Sequence, residues 1–396
     1  MERLALIGVS QRRGGTEALE TWTAWAQNYL RGGHSQFPEI VPITTCNRCD
    51  LVVALPDDLS VEEARKALAP EGARGYAYTD EAALEQLCRV AASLDSLNPG
   101  EDQIMNQVRQ AFEEARQTGT VGPTTGFAFQ TALRIAKRVR REVALAPANA
   151  SLFSLARPEF EQQLPARAAV AVVGIGEMGS VAARNLAARK DTQLLLVNRS
   201  LEKAQVLAEE LGAQAMSLEA FLNQSPQVQG LVTATPVEHL LESSFLKRQL
   251  ELRVIADLGL PRNVRPSAVP EAVVLIDLKR MQSLGEIRRE QLRGNLAQAE
   301  RLVQEEVEVA LGEWAERQMG PAIAHLRERY RESLEEALGE LLEPSEVNRL
   351  ANRFAHLPVK GLRGLARRHG LGVAQAFLEE AGLDDTALPS EEASHV

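Results

Sequence analysis

A chain of 396 residues, 45% hydrophobic and 25% charged, has the balance of a water-soluble globular protein and the length for two or three cores. Its net charge of −10 argues against broad, non-specific binding of nucleic acid, and no stretch approaches the ~20 apolar residues that a membrane span needs. Three cysteines, Cys46, Cys49 and Cys88, give no disulfide framework; with no signal-peptide pattern in "MERLALIGVSQRRGG", the expected location is the cytoplasm.

Residues 1 to 150 mix strand and helix patterns. "RLALIGVS" and "LVVALP" read as strands, the second closed by a proline. "EAALEQLCRVAASLDSL" and "QIMNQVRQAFEEARQTG" read as helices, the latter stopped at Gly119. "TALRIAKRVRREVALA" is amphipathic, with Ile135, Val139 and Val143 on one face and Arg134, Lys137, Arg138 and Arg141 on another. A solvated charged face is the simpler reading of those four cations.

Between the two strands lies "VPITTCNRCD", with two cysteines three apart. A redox pair belongs at a helix start in a thioredoxin-like fold, which nothing nearby resembles. A structural zinc site needs four ligands, and only Cys88 and His34 could be added in this segment. What competes is an inert buried thiol against a nucleophile. In an extended stretch Cys46 and Arg48 point to the same side, and a cation beside a thiol raises its thiolate fraction. The same arginine could instead grip a substrate carboxylate, and Cys49 is then incidental.

The middle segment opens at "AAVAVVGIGEMGSVAARNLAAR". A strand of small and β-branched residues enters a turn with Gly174, Gly176 and Gly179, and an alanine-rich helix follows, the context of a dinucleotide-binding βαβ unit. The next strand, "QLLLVNRS", ends in Asn198 and Arg199, with Lys203 beyond, where a carboxylate would select NAD. A guanidinium there pairs with a 2′-phosphate, so the expected cofactor is NADPH. A thiol nucleophile together with NADPH suggests that an activated acyl group becomes a thioester and is reduced to an aldehyde.

From about residue 285, "EIRREQLRGNLAQAERLVQEEVEVALGEWAERQ" has no proline until Pro321. A helix of about 30 residues there would run ~45 Å. More helix pattern follows, and the tail "LDDTALPSEEASHV" reads as disordered.

Several motifs together resemble the glutamyl-tRNA reductases of tetrapyrrole biosynthesis. "TTCNRCD" is similar to S-T-C-N-R-x-E, and "RVAASLDSLNPGEDQIMNQVRQAF" to R-V-A-x-G-L-[DE]-S-x-x-x-G-E-x-Q-I-x-x-Q-V. "AKRVRREV", "VVGIGEMG", "NRSLEKA", "DLGLPRNVRP", "IDLKRM" and "ANRFAHLPVKGLR" continue the resemblance in order over nearly the whole chain. It implies an α/β multidomain fold: an N-terminal α+β catalytic domain that binds glutamyl-tRNA over 1–150, and a Rossmann-type NADPH domain over 151–284. An all-α dimerisation domain with a long spinal helix follows over 285–385, and a tail over 386–396.

The implied reaction is reduction of glutamyl-tRNA(Glu) to glutamate-1-semialdehyde through a Cys46 thioester, the first step of the C5 route to 5-aminolevulinate. The tRNA ester is activated already, so no ATP is needed. Thr45, Arg48, Ser96, Glu101 and Gln103 match substrate-holding positions. Gly174, Gly176, Glu177, Met178, Gly179, Asn198, Arg199 and Lys203 match the NADPH site, and no metal is implied. A homodimer and a glutamate-1-semialdehyde aminotransferase are the implied protein partners, and the basic face at 134–141 gains a reading as a tRNA-facing surface.

The chain departs from the pattern at three positions. Gln86 and Gln11 stand where the family has histidine, and Asp50 replaces a glutamate. Glutamine hydrogen-bonds but exchanges no proton near neutrality. The alternative reading is therefore a catalytically impaired or repurposed relative that acts as a regulatory binding protein. A generic dehydrogenase of the shikimate type would explain only the middle segment.

Overall fold

The computed structural model describes residues 3–31, 36–45, 47–145, 151–189 and 191–383. Cys46, His34 and the part beyond Leu383 of the tail expected to be disordered lie outside the described residues.

The first sheet has strand order β2-β3-β1-β4 and is antiparallel. Its strands are β1 (Leu4–Ser10), β2 (Glu39–Thr44), β3 (Arg48–Ala54) and β4 (Tyr76–Thr79). Alternate residues face opposite ways, and both faces are covered. Leu4, Leu6, Val41, Ile43 and Val52 turn towards α3 (Asp80–Ala91), α4 (Asp102–Gln117) and α5 (Pro123–Glu142). Ile7, Val9, Ile40, Leu51 and Val53 meet α1 (Gln11–Arg31) and α2 (Val61–Ala67). That is why β1 and β3 read as continuous apolar runs. Glu39 of β2 pins α5 in place, its carboxylate accepting from the Thr125 amide at 2.7 Å and hydroxyl at 2.8 Å. The helix pattern expected up to residue 97 stops at Ala91, and residues 92–98 form a buried loop instead.

After α6 (Leu152–Gln163), the second sheet is parallel throughout, in the order β10-β9-β8-β5-β6-β7. The elements are β5 (Ala169–Val173), α7 (Glu177–Ala187), β6 (Gln193–Asn198), α8 (Leu201–Leu211), β7 (Gln214–Ser217) and α9 (Leu218–Gln224). Then come β8 (Gly230–Thr233), α10 (Ser243–Arg248), β9 (Val254–Asp257) and β10 (Val274–Ile276). The strand order reverses between β5 and β8, the point where this doubly wound fold binds its ligand.

The long helix starts at Leu278 rather than near 285, and it is broken. α11 (Leu278–Gln291) and α12 (Arg293–Gln318) are separated by Leu292, whose φ and ψ are −96° and 9°. α11 packs Leu278 and Met281 against the parallel sheet, and α12 packs Ala299, Val303, Val307 and Ala310 into the first core. α13 (Gly320–Leu338) and α14 (Pro344–Glu380) close a helical core with the end of α12, around Met319, Ile323, Leu362 and Leu378.

Candidate functional site

The "TTCNRCD" stretch is a tight reversal between β2 and β3. The Thr45 amide donates to the Arg48 carbonyl at 2.8 Å, and the Thr45 hydroxyl accepts from the Asn47 and Arg48 amides, each at 3.1 Å. These bonds turn the chain through Thr45, Asn47 and Arg48, and the expected placement of Cys46 beside Arg48 falls on a residue outside the described ones. Asn47 is tied to the start of α1, its carbonyl accepting from the Gln11 amide at 2.8 Å.

Arg48 points inward, 1% exposed, and is held by two carboxylates. Nη1 donates to Asp50 at 3.1 Å; Nη2 donates to the Asp95 carboxylate at 3.0 Å and to the Asp95 carbonyl. Tyr76 donates to the other Asp50 oxygen at 2.7 Å, and Gln86 Nε2 to Asp95 at 3.0 Å. Burial opposes the Arg48 charge, but Asp50, Tyr76 and Asp95 outweigh it and hold its pKa above the usual value. Burial likewise pushes Asp95 up, yet Arg48 and Gln86 keep that carboxyl below the carboxylate range, whereas burial lifts Asp50 above it. Gln86 thus keeps a hydrogen bond that orients Asp95, and it offers no titrating proton.

The loop from Ser93 to Asn98 is the floor of this region. Ser96 Oγ lies 2.8 Å from Ser93 Oγ and donates to the Asn98 carbonyl at 2.8 Å. Arg289 of α11 donates to the carbonyls of Leu94 at 2.8 Å and Ser96 at 3.3 Å. Glu101 then starts α4 with its Oε2 buried and unpartnered. Burial, with the nearby Glu177 charge, pushes its carboxyl up to about 8. Ser10 Oγ, Gln11 Oε1, Asn47 Oδ1, Arg48 Nε, Asn98 Oδ1 and Gln103 Nε2 are also buried without a partner. Such atoms also occur elsewhere among the described residues, at Thr23, Asn185 and Gln249 for example, while these follow one connected path, Ser10–Gln11–Asn47–Arg48 and residues 95–103.

The other thiols are inert. Cys49 is buried under α1, its thiol donating weakly to the Trp22 carbonyl at 3.7 Å, and burial pushes it up to about 12. Cys88 sits in the first core and burial raises it too.

The glycine loop follows β5. Gly174 has φ +87°, and a Cβ there would come within 2.5 Å of the Ala234 carbonyl oxygen; one on Gly179 would come within 1.7 Å of the Gly174 oxygen. Gly176 has open space around it, and a pyrophosphate could approach its backbone at the N-terminus of α7. Asn198 Nδ2 donates to the Ser200 carbonyl at 3.1 Å, shaping the turn that leaves Arg199 and Lys203 exposed. These features fit a dinucleotide with a 2′-phosphate. Met178 is half-buried against the sheet core and Glu177 is exposed, reached by Gln107 of α4 at 3.4 Å. The glycine loop and the substrate-side helix therefore meet.

One further motif carries no role from sequence reasoning, and a second carries two readings, a solvated face or a tRNA-facing surface. Asp257 accepts from Thr233 Oγ1, the Gly259 amide and the Val264 amide at 2.9, 3.0 and 2.9 Å. Asn263 binds the Thr235 amide and carbonyl, each at 2.9 Å. "DLGLPRNVRP" is thus a knot that fixes the loop beyond β8 at the switch point. On α5, Arg134 pairs with Glu313 at 3.1 Å, and Arg138 with Glu142 at 3.1 Å and with Glu306. These two cations serve helix packing.

The family profile described as "Glutamyl-tRNAGlu reductase, N-terminal domain" matches residues 7–143, and that described as "Shikimate / quinate 5-dehydrogenase" matches 154–284. The chain is similar to the glutamyl-tRNA reductase of Moorella thermoacetica, 32% identical over 295 residues that cover 69% of this chain and 66% of the relative. It is 30% identical to that of Chlorobaculum parvum over 298 residues, 70% of this chain and 69% of the relative. The matched stretches span about two thirds of these curated relatives. A solved structure, the glutamyl-tRNA reductase from Methanopyrus kandleri, shares the fold with a TM-score of 0.50 at 22% identity, covering 97% of this chain and 100% of that chain. The shikimate-type match stops at residue 284, so a generic dehydrogenase leaves the Arg48–Asp95 region and the helical end unexplained. With the reductase profile over the Thr45–Asp95 region and relatives at this identity, the chain belongs to the glutamyl-tRNA reductase family.

Proposed function

We propose that this chain reduces glutamyl-tRNA(Glu) with NADPH to glutamate-1-semialdehyde, the first step of the C5 route to 5-aminolevulinate and tetrapyrroles. The observation that carries the reading is the row of buried, unpartnered polar atoms from Ser10 to Asn47 and Asn98 to Gln103. They flank position 46 and end beside the glycine loop, where a polar acyl group would find donors and acceptors that the fold leaves free.

Cys46 attacks the acyl carbon of the ester; a C–S bond forms, the C–O bond to the 3′-ribose breaks, and the thiol proton ends on the departing 3′-oxygen. NADPH, when bound, supplies the hydride that turns the thioester into the aldehyde and frees the sulfur. Thr45 shapes the turn beside Cys46. Ser96 orders the floor, and Gln103 Nε2 and Arg48 Nε are the free donors for the glutamyl oxygens. Glu101 stands between substrate loop and cofactor loop. Gly174, Gly176, Glu177, Met178 and Gly179 receive the pyrophosphate, and Asn198, Arg199 and Lys203 the 2′-phosphate end.

The functional segments are 1–150 for substrate, 151–284 for NADPH and 285–385 for dimerisation, ahead of a 386–396 tail. The dimer reading is supported by Leu341, Phe354 and Leu357, exposed at 78%, 55% and 74% on the helical end. A monomer by light scattering at micromolar concentration would remove it. The aldehyde product is labile, so a glutamate-1-semialdehyde aminotransferase is the protein partner, and the cytoplasm the site of action. No helix among the described residues is long and apolar enough to cross a membrane.

Single-turnover NADPH oxidation with glutamyl-tRNA tests the reaction. The parent oxidises NADPH only with the charged tRNA, and Cys46→Ser does not. A parent that binds NADPH but oxidises none with competent glutamyl-tRNA would sink the proposal.

A further inference from the structure

Four guanidinia surround the Leu94–Ser96 loop. Arg48 is buried and bound to Asp50 and Asp95. Arg289 comes from α11 and holds the carbonyls of Leu94 and Ser96. Arg12 and Arg13 stand on the solvent side at the start of α1. Arg12 Nη1 is 3.8 Å from Asp95 Oδ1, with its side chain 49% exposed. Arg13 lies over the rings of Tyr76 and Tyr78, 5.1 and 5.4 Å from their centroids.

Charge is not balanced here. Asp50 pairs with Arg48, and the Asp95 oxygen that Arg48 and Gln86 leave free meets Arg12 at 3.8 Å and feels Arg13 beyond it. The neighbouring Arg89 is paired with Glu300 at 3.0 Å, and Glu85 lies near Glu300. Burial first, then Arg12 and Arg89, lowers the Arg289 pKa, against Asp95 and Glu300, which raise it. In a chain of net charge −10, a local surplus of cations on an exposed rim is a site that attracts an oxyanion.

Its position fixes which one. Gln11, the residue before Arg12, donates its amide to Asn47, the residue after Cys46. The two arginines therefore flank the turn that receives the ester carbon. Arg134 and Arg138 of α5 are committed to acidic partners. Exposed forked guanidinia, one already ordered over aromatic rings, suit a phosphodiester; a small buried carboxylate would want cations shielded from water.

We propose that Arg12 and Arg13 form a phosphate clamp for the single-stranded 3′ end of the acylated RNA. This rests on the glutamyl-tRNA reading, and it adds a binding site for the nucleic acid itself. The clamp acts by charge at the rim, so its contribution weakens as salt rises, with a slope of about 0.7 in log K for each phosphate of a single strand.

The probe is a fluorescent, deacylated acceptor-stem minihelix ending in CCA, titrated by anisotropy across a range of KCl with the parent and with Arg12→Ala/Arg13→Ala. The variant should bind roughly 10-fold or more weakly at low salt, with the salt slope reduced by about 1.4. NADPH affinity, unchanged in the same samples, reports an intact fold. Equal affinity and slope in parent and variant would overturn the clamp. A loss confined to glutamylated RNA would overturn it too, because it would assign the pair to the glutamyl carboxylate. A parent that binds the minihelix through these residues yet oxidises no NADPH with glutamyl-tRNA keeps the clamp and removes the reductase reading. A parent that turns over while the variant keeps the parent's salt slope does the opposite.

Discussion

Around the 174–179 loop, recognition is made of backbone and open space; around Asp95 it is made of side chains that already hold one another. At the glycine loop a Cβ has no room on Gly174 or Gly179 and free room on Gly176, so geometry excludes side chains and leaves space for a phosphate. At Asp95, Arg48, Gln86 and Arg12 converge on one carboxylate, and polar atoms beside them remain unpartnered. The first kind of site works through backbone shape at a helix N-terminus. The second is a buried ionic network, in which removal of one member strands the others.

Asp95→Ala should break that network most. It leaves Arg48 buried with Asp50 as its one remaining carboxylate, at a cost of about 3–5 kcal/mol in unfolding free energy. Urea denaturation checks it, and a loss below about 1 kcal/mol would mean that water reaches Arg48 and the network is not sealed.

Glu101 bridges the two kinds of site, and its effect depends on pH. Its carboxyl is raised from 4.5 to about 8 in the folded protein. The unfolded chain therefore releases this proton first, and stability falls as pH rises from about 4.5 to about 8, then levels. Each pKa unit corresponds to about 1.4 kcal/mol, so the full effect is of order a few kcal/mol. Glu101→Gln should flatten this part of the curve and melt higher than the parent at pH 9. Parallel curves for the two proteins would show that Glu101 is solvated.

The smallest effect belongs to the cofactor side. Arg199→Ala should weaken NADPH binding by roughly 10- to 100-fold, as expected for losing hydrogen bonds to a charged group, and change NADH binding less than twofold. Isothermal titration reads both, and equal losses would take the 2′-phosphate away from Arg199.

The same contrast explains what could be read from the sequence. The glycine loop is legible because its requirements are local: a strand, three glycines and a helix within one short stretch. Asp95 lies inside a motif that was visible, but its role depends on Arg48, 47 residues away, and on Gln86 from a different turn of chain. The basic face of α5 was ambiguous for a similar reason, since Glu306 and Glu313 lie 168 and 179 positions from their partners. Extended geometry at Thr45–Arg48 was a fair expectation for a strand end, and the Thr45 hydroxyl, which can replace a backbone acceptor, turned the chain instead. The break at Leu292 had no proline or adjacent glycine to announce it.

That break divides the spine into two parts with different loyalties. α11 lies on the parallel sheet through Met281, ties Arg280 to Glu159 of α6 at 2.9 Å, and also holds the Leu94 and Ser96 carbonyls through Arg289. A Cβ on its Gly285 would lie 2.4 Å from the Leu97 carbonyl oxygen, so helix and loop touch backbone to backbone. With α11 fastened on both sides, the substrate and cofactor halves lose most of their independent degrees of freedom. Relative motion of the two halves would have to break these bonds, and Leu292 is where the rest of the spine parts from them.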